Sequence, residues 1–189
     1  EFIIATNYKS NFIKSYLGNG SEFGVDIIYS RETEPLGTVG PVKLLKEYLT
    51  EPFIVINGDI LTNLDFKKFY DTHINSDAAL SISAKVMDIP LQYGIITSLN
   101  NQVVKIEEKP NLQFEILAGI YVLNPEVIDL IPQGFYNMTN LIKELINQKK
   151  NVRKQLLTEY WLDIGHLETY ERAKKDVDKG KFKIWIKQF

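Results

Sequence analysis

Short apolar runs alternate with amphipathic stretches along most of the chain, and this rhythm sets out its elements. Apolar positions that are continuous, or fall at every second residue, predict strands over residues 2–6, 25–29, 53–56, 78–86, 116–123 and 152–157. Three-to-four spacing predicts helices over 10–17, 40–48, 64–73, 125–131, 138–148 and 166–179. Gly18-Asn19-Gly20 stops the first helix, and Asn124 ahead of Pro125 offers an N-cap with proline at the first helical position. Residues 31–38, with Pro35 and Gly37, read as a loop. Segments 93–99 and 102–107 flank Asn100-Asn101, a two-residue hairpin signal.

Strands and helices in alternation, then a hairpin, predict an α/β fold: one domain over residues 1–189 on a doubly wound mixed sheet with a β-hairpin insertion. Glu1 leads straight into Phe2-Ile3-Ile4-Ala5 with no initiating Met, and reads as a strand already under way. The expectation is that a first βα unit, on the order of 30 residues or more, is missing ahead of it.

The 189 residues suffice for one domain with a sizeable core. A net charge of −2 removes the bulk electrostatic case for nucleic acid or an anionic membrane as a partner. Without cysteine there is neither a disulfide framework nor a thiolate metal site, which fits a reducing compartment. Apolar runs are too short for a spanning helix and no signal peptide is visible, so a cytoplasmic location is expected. Self-association into a homo-oligomer is compatible with all of this.

Two acidic motifs carry the chemistry. Asn57-Gly58-Asp59 closes the apolar run Phe53-Ile54-Val55-Ile56, which places a carboxylate at the carboxyl end of a buried strand, where open α/β sheets bind ligands. Asp163, between Leu162 and Ile164 in Trp161-Leu162-Asp163-Ile164-Gly165, has a similar setting. Two hard oxygen ligands in one cleft suit Mg²⁺ that also bridges substrate phosphates, and so suggest metal-assisted chemistry on a phosphorylated substrate. Plainer readings exist: Asn-Gly-Asp is an ordinary turn, and Asp163 could cap the helix after it, although Gly165 or His166 fits that place no worse.

The remaining motifs are individually weaker. Leu36-Gly37-Thr38 is either a phosphate-approaching loop before a helix or simple loop-to-helix punctuation, and it lacks the Lys of a Walker loop. Glu108-Lys109-Pro110 pairs a carboxylate able to accept sugar hydroxyls with an ammonium able to meet a phosphate; a solvated charge pair at a strand end is the alternative. Tyr93-Gly94 and Ala118-Gly119 place glycine inside strand-like runs, as close ligand approach or a bulge requires. Trp161 could wall a sugar or base, or lie in the core. His73 and His166 have no partners at metal-ligand spacing and read as surface or helix-end residues.

In order, Glu32-x-x-Pro-Leu-Gly-Thr, Asn-Gly-Asp, Tyr-Gly-Ile, Glu-Lys-Pro, Ala-Gly-Ile-Tyr-Val-Leu and Trp-Leu-Asp-Ile-Gly resemble the sugar-1-phosphate nucleotidylyltransferases over residues 2–177. The flavour is closest to bacterial enzymes making GDP-activated sugars, including the CBS-domain-linked type. The resemblance implies a Rossmann-like, nucleotide-diphospho-sugar transferase fold and transfer of a nucleotidyl group from a nucleoside triphosphate, with GTP favoured, to a sugar 1-phosphate. By the same resemblance Asp59 and Asp163 hold Mg²⁺ and, with Lys109 on the sugar phosphate, carry catalysis. Leu36, Gly37 and Thr38 line the nucleotide pocket with Asn57 and Gly58. Tyr93, Gly94, Glu108 and Gly119 surround the sugar, and Trp161 backs the site. The family's N-terminal Gly-rich loop, with its Arg and Pro-Lys-Pro segment, has no counterpart here, so the chain as it stands is expected to be inactive. That absence gives weight to an alternative, a non-catalytic nucleotide-sugar-binding sensor or assembly subunit of the same fold; retention of both aspartates, Glu108 and Lys109 argues against it. A metal-dependent glycosyltransferase is a third reading, disfavoured because Asp59-Ile60-Leu61 is not an Asp-x-Asp motif.

Overall fold

A strand that is apolar at every position must be covered on both faces, and residues 118–123 are: all six are buried. In the computed structural model, which describes residues 1–182, they end the longest strand of a mixed sheet. The chain forms β1 (Phe2–Thr6), α1 (Ser10–Leu17), β2 (Ile27–Arg31), α2 (Gly40–Lys43), β3 (Phe53–Ile56), β4 (Ile60–Thr62), α3 (Phe66–Ile74) and β5 (Leu80–Pro90). There follow β6 (Ile95–Leu99), β7 (Gln102–Glu107), β8 (Asn111–Leu123), α4 (Met138–Asn147), β9 (Val152–Leu156), β10 (Trp161–Asp163) and α5 (Leu167–Asp178). Short 3₁₀ turns cover Ser21–Phe23 and Pro125–Leu130.

The main sheet has the order β3-β8-β5-β9, antiparallel except for the parallel β5–β9 pair. Alternate residues of β8 feed two cores. Tyr121 and Leu123 join Val39, Val42, Ile128, Ile131 and α4 residues Met138, Leu141 and Leu145 on one face. Ala118, Ile120 and Val122 meet Leu64, Phe69 and Leu157 on the other. Helices therefore cover both faces, as the alternating pattern predicts. α3 starts where its chemistry says it should: the Asp65 side chain accepts from Lys68 N at 2.9 Å, and Leu64 and Phe69 pack across that cap.

Three smaller ladders complete the fold. β1 and β2 are parallel, β6 and β7 form the expected hairpin around Asn100 and Asn101, and β4 pairs with β10. Both asparagines have positive φ, +47° and +65°, which a two-residue turn of this kind requires.

Several expectations need correction. α2 stops at Lys43, and the predicted stretch to 48 continues as turns whose bonds run three residues back, such as Leu45 N to Val42 O. Residues 125–130 are a 3₁₀ turn, and Asn124 does not cap it; its side chain accepts from His73 and donates to Ala78 O. β2 begins at Ile27, β5 runs on to Pro90, and β8 begins at Asn111, five residues before its predicted start at 116. Gly94 precedes β6 and lies outside it. His73 does end a helix but is buried, 2% exposed, with Nδ1 2.8 Å from Ser81 Oγ and Nε2 2.9 Å from Asn124 Oδ1.

Candidate active site

The two aspartates lie a hundred residues apart in sequence, and the β4–β10 ladder joins them. Asp163 pairs with Ile60, Leu162 with Leu61 and Trp161 with Thr62. Ile164 N then donates to Asp59 O at 2.8 Å, which continues the ladder past its last pair. Asp59 sits in the turn between β3 and β4, closed by Ile60 N donating to Asn57 O at 3.3 Å. Both aspartates are exposed.

Gly165 gives the clearest view of their relation. A β-carbon added there would lie 3.0 Å from Asp163 Oδ1 and 3.2 Å from Asp59 Oδ2, so the two carboxylates flank one small space that only glycine leaves open. Asp163 Oδ1 also accepts from Gly165 N at 2.8 Å, which fixes its orientation. Among the described residues no cluster of three or more His, Asp or Glu could hold a metal. Two carboxylates with open positions around them fit Mg²⁺, which keeps waters and binds substrate phosphate rather than filling an all-protein cage.

Beside this pair lies a cavity of about 310 Å³ lined by Asn57, Ile60, Met87, Gly119, Trp161, Asp163 and neighbouring residues. Gly119 is at the bulge. Ile82 pairs with Tyr121 and Ala84 with Leu117, so three β8 residues face the single Ser83, whose hydroxyl donates to Ile120 O at 2.8 Å. Gly119 has φ +74°, and a β-carbon there would meet Asn57 Nδ2 at 3.0 Å. Asn57 N donates to Gly119 O at 2.9 Å. Trp161 Nε1 donates to Ala118 O at 2.8 Å, holding the indole against the same bulge. Of the sequence candidates, Asn57, Gly119, Trp161 and Asp163 thus line one cavity, with Asp59 opposite Asp163 at Gly165.

The other candidates fall into two further groups. Gly94 and Glu108 meet at the hairpin stem, where a β-carbon on Gly94 would lie 2.9 Å from Glu108 Oε2. Lys109 follows in the turn after β7 with φ +43°, exposed, and Tyr93 is 80% exposed. Leu36, Gly37 and Thr38 are docked on residues 136–138. Tyr136 N donates to Leu36 O, Thr38 N to Asn137 Oδ1, and Met138 N to Thr38 Oγ at 2.8 Å, so Thr38 caps α4. The Glu32 carboxylate accepts from Leu36 N at 3.0 Å and braces this loop. Neither group lines the cavity.

His166 is the cavity residue that sequence reasoning set aside. It is the N-cap of α5, and its backbone exchanges hydrogen bonds with Thr169 Oγ, donating at 3.4 Å and accepting at 3.0 Å. Met87, Ile116 and Leu117 also went unread. Met87 lies one residue past the predicted strand end at 86, whereas Ile116 and Leu117 lie inside the predicted strand 116–123, where an apolar run does not tell a cavity wall from core. No helix among the described residues is long and apolar enough to cross a membrane.

Comparison with known proteins identifies the family and the fold. The chain is 37% identical over 175 residues to mannose-1-phosphate guanyltransferase of Candida albicans, covering 87% of this chain and 48% of that protein. It is 34% identical over 175 residues to the mannose-1-phosphate guanylyltransferase catalytic subunit beta of Drosophila melanogaster, covering 87% of this chain and 47% of that one. The chain spans about half the length of the curated relatives it matches. Among solved structures, HddC from Yersinia pseudotuberculosis superposes with TM-score 0.70 at 29% identity, over 93% of this chain and 77% of that one. A second HddC structure, complexed with GMP-PN, matches with the same TM-score at 28% identity. These solved relatives share the Rossmann-like mixed α/β fold. The nucleotidyl transferase family model matches residues 1–180, and the chain belongs to that family.

Proposed function

We propose that this chain is the core of one catalytic domain of a sugar-1-phosphate nucleotidylyltransferase that joins GMP from GTP to a sugar 1-phosphate, mannose 1-phosphate first among the candidates, and releases pyrophosphate. The observation that carries the reading is the convergence of the Asp59 and Asp163 carboxylates on the space beside Gly165, at the edge of a cavity walled by Trp161 and floored by Gly119. Family membership and guanyltransferase relatives support the base and the sugar.

Asp59 and Asp163 would hold a divalent cation, Mg²⁺ by the all-oxygen donor set, which when bound neutralises phosphate charge. The chain's own groups then orient the reactants. In-line attack by the sugar phosphate oxygen on the α-phosphorus needs no protein nucleophile, so positioning and charge neutralisation supply the rate. Asn57, Gly58 and the Leu36-Gly37-Thr38 loop are assigned to the nucleotide. Tyr93, Gly94, Glu108 and Gly119 are assigned to the sugar hydroxyls, and Lys109 to its phosphate; the closeness of Gly94 to Glu108 supports those two acting together, while Gly119 faces the cavity beside Asn57.

The test is pyrophosphate release by the full-length protein supplied with GTP, mannose 1-phosphate and Mg²⁺. Release is expected, and Asp59→Ala should lower it by at least about 100-fold with Tm unchanged. Nucleotide-sugar binding without any release would instead assign the chain to a binding subunit of the same fold.

A further inference from the structure

Lys85 has no role in the reading above. It is half-buried on β5, and its Nζ donates to Leu157 O at 3.2 Å and to Glu159 O at 3.0 Å. Burying part of an ammonium against two backbone carbonyls is an uncommon use of a lysine, because the charge loses water and gains no carboxylate. The acceptors lie on the crossover between β9 and β10, which delivers Trp161 and Asp163 to the site. Leu157 N donates to Ala84 O at 2.8 Å, and Tyr160 O accepts from Asn63 N and Thr62 Oγ. Between those two anchors, and among the described residues, the only side chain bonded to the crossover's carbonyls at 157 and 159 is that of Lys85.

Register places this clamp beside the cavity. Lys85 is opposite Ile116 in the β5–β8 pair, and opposite residues share a face. Ile116 and Met87, two residues along from Lys85, both line the cavity. We propose that Lys85 is a positioning residue, whose ammonium clamps the 157–160 crossover and thereby sets Asp163 against Asp59. This rests on the assignment of those aspartates to a divalent cation, and it goes beyond it by placing the control of their spacing on a residue outside the pair.

Sign separates this role from a purely electrostatic one. Removing a nearby positive charge favours cation binding through Coulomb's law, whereas releasing the clamp disfavours it by loosening one ligand. The variant Lys85→Met keeps much of the apolar stem and loses the donors, and Lys85→Arg restores donors. Amide hydrogen exchange of the metal-free protein reads the clamp directly. Exchange across 158–164 should rise by about tenfold in Lys85→Met and return toward the parent in Lys85→Arg, while α4 stays protected. Mn²⁺ binding followed by electron paramagnetic resonance should weaken by about tenfold in Lys85→Met. Unchanged exchange, or Mn²⁺ binding that is equal or tighter, overturns the proposal. Failure of the parent protein to bind Mn²⁺, or full binding by Asp163→Ala, would sink the metal assignment instead, and the exchange result would still decide whether Lys85 holds the crossover.

Discussion

β5 and β8 pair along their whole length, yet the two ends of that pair live in different surroundings. Residues 80–84 and 118–123 are all buried, whereas 86–90 and 113–115 of the same strands are exposed. The change comes at the bulge of Ser83 and Gly119, and the cavity lies there. Ala118 and Gly119 contribute from the covered end, and Met87, Ile116 and Leu117 from the open one. A site at such a junction takes rigidity from one half and access from the other. The hairpin β6–β7, which carries Gly94 and Glu108 at its stem, belongs to the open half: Ile96, Val104 and Ile106 are each more than 60% exposed.

The largest effect should come from closing the space between the carboxylates without touching the core. Gly165→Ala needs no unusual backbone, but its methyl would stand 3.0 Å from Asp163 Oδ1 and 3.2 Å from Asp59 Oδ2. Nucleotidyl transfer and Mn²⁺ affinity should each fall by at least about 100-fold with Tm nearly unchanged. Activity near the parent level would show that the two carboxylates do not act together on a cation across the space beside Gly165.

Next in size is a direct contrast of the halves. Leu141 of α4 is fully buried against the covered end, and Leu141→Ala should cost about 2–5 kcal/mol in urea unfolding. Ile106, 69% exposed on the hairpin, should cost less than about 0.5 kcal/mol when changed to Ala. Equal costs would abolish the distinction. At the junction itself, Gly119→Ala forces a side chain into φ +74° and against Asn57, so a loss of about 1–3 kcal/mol is expected together with lower activity.

The sequence made the covered half legible and much of the open half illegible, for physical reasons. A strand buried on two faces leaves a continuous apolar run, and so 116–123, buried from 118 onward, stands out; 53–56 is as apolar in sequence but only half-buried, with Ile56 42% exposed. Beyond the bulge the same strands carry Asp88, Gln113 and Glu115 among apolar residues, and the pattern no longer declares its length. The acidic motifs, Trp161 and Gly119 were readable because each follows or interrupts an apolar run. What joins them was not: β4 and β10 have three residues each, too few for any period, and pair across a hundred residues. His73 was misplaced for a similar reason, since its burial depends on Ser81 and Asn124, which only the fold brings to its ring. Lys85 gave no signal because its acceptors are backbone carbonyls, which have no residue type.

The smallest expected effect concerns how the β10 segment is held from its far side. Asp176 of α5 is 5% exposed; it accepts from the Tyr160 hydroxyl at 3.0 Å and lies 3.1 Å from Lys181 Nζ. Hydrogen bonding from Lys181, then from Tyr160, holds this carboxyl below the ordinary carboxylate range against the opposing effect of burial. The unfolded carboxyl titrates near the usual value of about 4, so acid protonates the unfolded chain first. The bond network therefore contributes its full stability above about pH 4 and loses it as pH falls through the lower, folded value. Asp176→Asn should be less stable than the parent at neutral pH, and the difference should shrink once the pH drops below that range. Because Tyr160 directly precedes β10, the variant should also speed amide exchange at Trp161 while leaving Leu141 protected. A stability difference that stays constant into strong acid would mean that the charge of Asp176 is not what ties α5 to the strand bearing Asp163.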